Sequence, residues 1–122
     1  DDTVERGYAG LSMWEWTAKE IPTERIHHYG ELCASVGLNG AVLNNVNANP
    51  LILDKEHIER VAQIANILRE YGITTYLSIK WTSPVTLDGL KSGDPLDPKV
   101  RQWWKNKAAE IYTAIPISAA FS

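Results

Sequence analysis

Residues 54–79 read DKEHIERVAQIANILREYGITTYLSI, and a single change of period runs through them. Ile58, Val61, Ala62, Ala65 and Leu68 recur every three or four positions and share one face of a helix. Asp54 stands where a side-chain oxygen caps the first turn, and Leu53 and Ile58 flank it at the spacing of a hydrophobic staple. Gly72 sits where a left-handed stop is wanted. Ile73-Thr74-Thr75-Tyr76-Leu77-Ser78-Ile79 then brings the β-branched and aromatic residues of a buried strand.

The same pattern lies upstream. Thr23 can cap a helix carrying Ile26, Tyr29, Cys33 and Val36 on one side, with Gly37 at its end. A short apolar strand, Gly40 to Val46, follows. Gly37 and Gly72 are 35 residues apart, an interval that marks consecutive units of a parallel sheet. Downstream, Asp97 and Pro98 open a third helix that buries Val100, Trp104, Ala108 and Ile111. A further strand is due near residue 118. The fold class is therefore α/β: part of a (β/α)8 barrel, with about two parallel strands and three helices. That is too few strands to close a ring, and both sheet edges stay bare. A doubly wound domain needs about five strands. Neither a G-x-G-x-x-G nor a G-K-S/T phosphate loop follows either strand.

Composition narrows the function. The 122 residues suffice for one core, and 44% hydrophobic with 22% charged residues is the balance of a globular domain. The apolar runs are far shorter than the roughly 20 residues a bilayer requires. A net charge of −3 without a basic stripe argues against nucleic acid, and no membrane partner is expected. Cys33 is the single cysteine, so neither an internal disulfide nor a cysteine metal cluster is expected. The opening residues lack the apolar core of a signal peptide, which points to a cytoplasmic or periplasmic protein.

Sites in barrels of this type lie at the carboxyl ends of the strands. Here those ends are Asn44-Asn45-Val46-Asn47-Ala48-Asn49 and Lys80-Trp81-Thr82-Ser83-Pro84. Asn amides offer donors and acceptors to sugar hydroxyls, although Asn also serves left-handed turns. Lys80, closing an apolar strand, needs a counter-charge that either an anionic substrate or a structural carboxylate supplies. The five tryptophans, two in Trp14-Glu15-Trp16, one at Trp81 and two at Trp103-Trp104, are either core residues or sugar-stacking platforms. His27 and His28 lack a third metal ligand at useful spacing. Glu15, Glu20 and Asp94 read as solvated.

Longer motifs carry a family resemblance. Glu5-Arg6-Gly7-Tyr8-Ala9-Gly10, Ala34-Ser35-Val36-Gly37-Leu38-Asn39-Gly40 and Val42-Leu43-Asn44-Asn45-Val46-Asn47-Ala48 closely resemble the central domain of glycoside hydrolase family 67 α-glucuronidases. The likeness continues through Asp94-Pro95-Leu96-Asp97-Pro98 and Trp103-Trp104-Lys105 to about Pro116. It implies a (β/α)8 barrel that hydrolyses the α-1,2 bond between 4-O-methyl-glucuronic acid and the terminal xylose of xylo-oligosaccharides. It implies inversion, with two carboxyl groups roughly 6.5–9.5 Å apart. No metal or cofactor is implied, and a homodimeric parent is allowed. The family's acid lies in a Val-Lys-Ala-Asn-Ser-Glu-Gly segment and its base carboxylates lie later; these 122 residues contain none of them. No catalytic residue is therefore assigned, and the chain is expected to be inactive alone. What the resemblance carries over is substrate binding: Val46 beside the 4-O-methyl group, then Asn47, Glu5, Arg6, Lys80 and Trp81.

Residues 117–122, Ile117-Ser118-Ala119-Ala120-Phe121-Ser122, depart from the family's Asp-Phe-Gly-Gly-Phe. A coding stretch GAT TTC GGC GGC TTT TCC, deprived of its first base, reads ATT TCG GCG GCT TTT and yields Ile-Ser-Ala-Ala-Phe. The tail is therefore read as aberrant, out of frame from residue 117, and unable to supply the next strand. An isolated chain of this kind is expected to expose apolar surface and aggregate. The competing reading is an autonomous carbohydrate-binding module that uses its tryptophans as platforms.

Overall fold

The computed structural model describes residues 12–44, 49–115 and the backbone of 119–121. The elements run α1 (Thr23–Ser35), β1 (Gly40–Val42), a 3-10 turn (Pro50–Leu53), α2 (Lys55–Arg69), β2 (Thr74–Leu77), α3 (Ser83–Asp88), α4 (Pro98–Ala114) and β3 (Ala119–Phe121). The three strands form one parallel sheet in the order β1-β2-β3. Strand order thus follows chain order, and each crossover carries helix.

Two expectations need correcting. Among the described residues there are three strands and four α-helices, against the expected two or so and three. Ala119–Phe121, expected to be unable to act as a strand, pairs in register with Thr75–Leu77. A main-chain ladder needs only an extended backbone beside a free strand edge, and β2 presents one. The unforeseen helix is α3. Its signals are a proline in the first turn and Gly89, whose φ of 65° makes a left-handed end.

The other helix ends follow local chemistry. Asp54 caps α2 by accepting from the His57 backbone N–H at 2.8 Å, and Asp97 caps α4 by accepting from that of Lys99 at 2.8 Å. Gly37 and Gly72 are left-handed, with φ of 81° and 72°. α1 differs: its cap position is Pro22, which offers no side-chain hydrogen bond, and Thr23 is already helical.

The core lies between one face of the sheet and the helices. Ala41 and Leu43 from β1 and its extension, and Thr75 and Leu77 from β2, are buried there against Ile58, Val61, Ala65 and Leu68 of α2. The opposite face carries Gly40, Val42, Thr74 and Tyr76, of which Val42 is 55% exposed. Among the described residues, helices therefore cover one side of the sheet. α2 stands at the centre, touching both α1 and α4. Gly30 is the point of closest approach to α1: the Tyr71 ring lies over it, and a Cβ there would reach to 3.0 Å of both Cγ and Cε2. The Tyr71 hydroxyl and His27 Nδ1 are 2.7 Å apart across the same contact.

On α2, Ile58, Val61, Ala65 and Leu68 of the predicted stripe are buried, Ala62 is half-buried, and Ile64, outside that stripe, is buried as well. On α1, Ile26 and Cys33 are buried and Tyr29 is half-buried, but Val36 is exposed because the helix has ended before it. On α4, Val100 and Ile111 are buried while Trp104 and Ala108 are half-buried. Among the described residues, no helix is long and apolar enough to cross a membrane.

Candidate functional site

The carboxyl ends of β1 and β2 point the same way, since the strands are parallel. Of the substrate-binding candidates, Lys80 and Trp81 are described there; Glu5, Arg6, Val46 and Asn47 lie outside the described residues.

The asparagine cluster divides on inspection. Asn44 is buried, and both ends of its amide are engaged by one residue of the neighbouring strand end: Nδ2 donates to the Ser78 carbonyl at 2.8 Å and Oδ1 accepts from the Ser78 N–H at 2.8 Å. A side chain here stands in for the main chain and extends the β1–β2 ladder past its last backbone pair. Asn49 is used in a similar way, its Oδ1 accepting from the Leu51 N–H at 3.0 Å to start the 3-10 turn. Both side chains are therefore engaged with backbone groups, of Ser78 and of Leu51. Asn45 and Asn47 lie outside the described residues.

Lys80 was expected to need a buried counter-charge. It is exposed instead, because β2 ends at Leu77 and the chain has already turned outward. Its carbonyl accepts from the Ser83 N–H at 2.9 Å, which starts α3 and leaves the ammonium reaching into solvent. Trp81 is 66% exposed. Sequence reading did not single out its neighbour, the buried Gly93. A Cβ at Gly93 would stand 2.9 Å from Trp81 Cε3 and 3.1 Å from Cζ3, so the six-membered ring of the indole rests directly on glycine backbone.

The other tryptophans are committed to packing. Trp14 and Trp16 are buried, Trp14 meeting Tyr29 edge to face. Trp103 and Trp104 are half-buried and meet each other edge to face at 4.8 Å. Trp103 Nε1 donates to Asp88, and Lys107 lies 5.5 Å from the Trp103 ring centre while donating to the Leu53 carbonyl at 3.1 Å. They join α4 to α3 and to the 3-10 turn.

A cleft of about 700 Å³ lies away from these groups, between residues 19–23 and α2. Glu20, Glu56 and Glu59 line it together with Arg60, which donates to the carbonyls of Ala18 and Lys19. It is the seam that binds the leading segment to α2, and neither strand-end candidate lines it. Among the described residues no group of three or more His, Cys, Asp or Glu side chains could hold a metal ion. His27 is engaged with Tyr71, and Glu15 lies 3.4 Å from Arg25.

Comparison with known proteins agrees with the motifs. The glycosyl hydrolase family 67 middle domain matches residues 1–122. The chain is 42% identical to a probable alpha-glucuronidase A of Aspergillus terreus over 122 residues, which is 99% of this chain and 14% of that protein. It is 42% identical to alpha-glucuronidase A of Emericella nidulans over 120 residues, 98% of this chain and 14% of that one. For alpha-glucuronidase A of Aspergillus tubingensis the identity is 39% over 125 residues, with 99% and 14% covered. The chain thus spans about 14% of the length of the curated relatives it matches. A parallel sheet in chain order, clothed by helices on one side and matched over its whole length, belongs to glycosyl hydrolase family 67, in its middle domain.

Proposed function

We propose that this chain is a sector of a (β/α)8 barrel in an inverting α-glucuronidase, whose substrate is a xylo-oligosaccharide bearing 4-O-methyl-glucuronic acid. The observation that carries the activity is about 40% identity to proteins named alpha-glucuronidase A along essentially all of this chain. The sheet supports the barrel. Strand order follows chain order, with helices on one face and a partly open opposite face. A barrel segment has that form, its bare face turned to the interior, whereas a doubly wound sheet is covered on both sides.

In this reading the strand ends are walls of the uronic acid pocket. Val46 lies against the 4-O-methyl group, and Asn47, Glu5 and Arg6 contact the sugar. The exposed Lys80 ammonium supplies charge for the uronate, and Trp81 borders the same mouth. The proton donor and the water-activating carboxylate come from other parts of the enzyme, so these 122 residues bind and orient but do not cleave. The packing of Trp14, Trp16, Trp103 and Trp104 weighs against an autonomous binding module, which needs such rings on its surface.

The test is an assay of the full-length enzyme on uronosyl-xylotriose, with the product anomer followed by proton NMR. Release of 4-O-methyl-glucuronic acid in the β configuration is expected. Failure to release the uronic acid, or release of the α anomer first, overturns the proposal.

A further inference from the structure

Trp81 is the one tryptophan of five left largely open, at 66% exposure, and one face of it is in contact with the protein. Its six-membered ring is seated on the buried backbone of Gly93, where an added Cβ would stand 2.9 Å from Cε3. Single exposed apolar side chains are common on protein surfaces and need no explanation. This one combines three features: a seat that only glycine provides, a position just past the carboxyl end of β2, and an adjacent cation in Lys80. A held aromatic face beside a site mouth is a surface prepared for a flat, partly apolar ligand.

The charge distribution of the ring selects the ligand. An indole face is the negative pole of its quadrupole, so it attracts the weakly positive C–H groups of a neutral pyranose and repels a carboxylate. Lys80 has the opposite preference. The two neighbours therefore divide an acidic, branched oligosaccharide between them, the anion to the ammonium and a neutral ring to the indole.

We propose that Trp81, seated on Gly93, is a stacking platform for a xylose ring of the oligosaccharide backbone rather than for the uronic acid. This rests on the glucuronidase reading above and assigns that site a second, neutral-sugar subsite. Trp81 is then a specificity residue: it rewards substrates that carry xylose beyond the scissile bond.

The experiment compares two substrates in the full-length enzyme: uronosyl-xylotriose, and 4-O-methyl-α-glucuronosyl fluoride, which has no aglycone ring to stack. In Trp81→Ala the ratio of KM for the first to KM for the second rises about tenfold, the loss of one aromatic stacking contact. Trp81→Phe restores most of the ratio, and Gly93→Ala, which displaces the ring, raises it in the same direction. A ratio unchanged from the wild type in Trp81→Ala overturns the platform even while the enzyme cleaves both substrates. If the variants do not fold, the wild type decides: plain xylotriose should shift the indole N–H resonance of Trp81 and leave those of Trp14 and Trp16 in place. No shift at millimolar xylotriose overturns the proposal. A wild type that binds xylotriose at Trp81 but cleaves neither substrate removes the glucuronidase reading and keeps the platform.

Discussion

Asn44 and Ser78 are joined by two hydrogen bonds of 2.8 Å each, so that a side-chain amide continues the main-chain ladder between the ends of β1 and β2. Both residues are buried, and the ladder carries them to the rim where the candidate sugar contacts begin. The pair sets the separation of the two strand ends.

Asn44→Ala removes both bonds and strands the N–H and carbonyl of Ser78 in a dry place. The cost is about 2–3 kcal/mol of stability, because an unmatched buried group loses more than the bond itself contributed. Urea unfolding measures it. A variant of unchanged stability with a raised KM would return Asn44 to the role of sugar donor.

Thr75 predicts the opposite sign. It is 1% exposed on the helix-covered face, and its Oγ1 has no hydrogen-bond partner among the described residues. Thr75→Val replaces an unsatisfied hydroxyl with a methyl group in a β-branched frame. Stability should rise by about 1 kcal/mol in thermal or urea unfolding. A loss of that size would mean the hydroxyl has a partner.

The contact between α1 and the turn that follows α2 is tested at Gly30, where an added methyl group meets the Tyr71 ring. Gly30→Ala should destabilise by about 1–3 kcal/mol through overpacking. Adding Tyr71→Ala removes the obstacle, so the double variant should lose less than the two single losses summed. Additive losses would contradict the contact.

Tyr71 also gives a pH dependence. Burial pushes its phenol above the ordinary value of 10.0, and the carboxylates of Glu31 and Glu70 act the same way. The folded state therefore holds this proton more tightly than the unfolded chain does. Stability is undiminished while the unfolded phenol is protonated and falls as pH climbs past 10.0 toward the higher folded value. Tyr71→Phe should flatten that decline in a series of unfolding curves at alkaline pH. An identical alkaline slope would remove Tyr71 as its source.

Local signals in the sequence were legible where one residue decides one geometry. Asp54, Asp97, Gly37 and Gly72 occupy the caps and left-handed ends that their types suggest. The α2 stripe was legible because a 15-residue helix averages over its errors. The misses have a common cause, which is that tertiary position is silent in composition. Asn44 and Asn49 look like sugar donors until their partners, Ser78 and Leu51, are known. Lys80 reads as buried only while β2 is allowed to run on to Ile79, and β2 stops at Leu77. The strand at Ala119–Phe121 was discounted as a short out-of-frame run, although its pairing is a main-chain affair. Gly93 carries no motif, and its meaning lies wholly in the Trp81 ring above it.

The central claim is that substrate lies at the carboxyl ends of β1 and β2, on the side of the sheet that carries Val42 and Tyr76. A crystal structure of the full-length enzyme soaked with 4-O-methyl-glucuronic acid tests it most directly. Sugar density bordered by the residues that follow Asn44 and by the Lys80–Trp81 turn is the predicted result. Density at the amino ends of the strands, or in the cleft between residues 19–23 and α2, would contradict it.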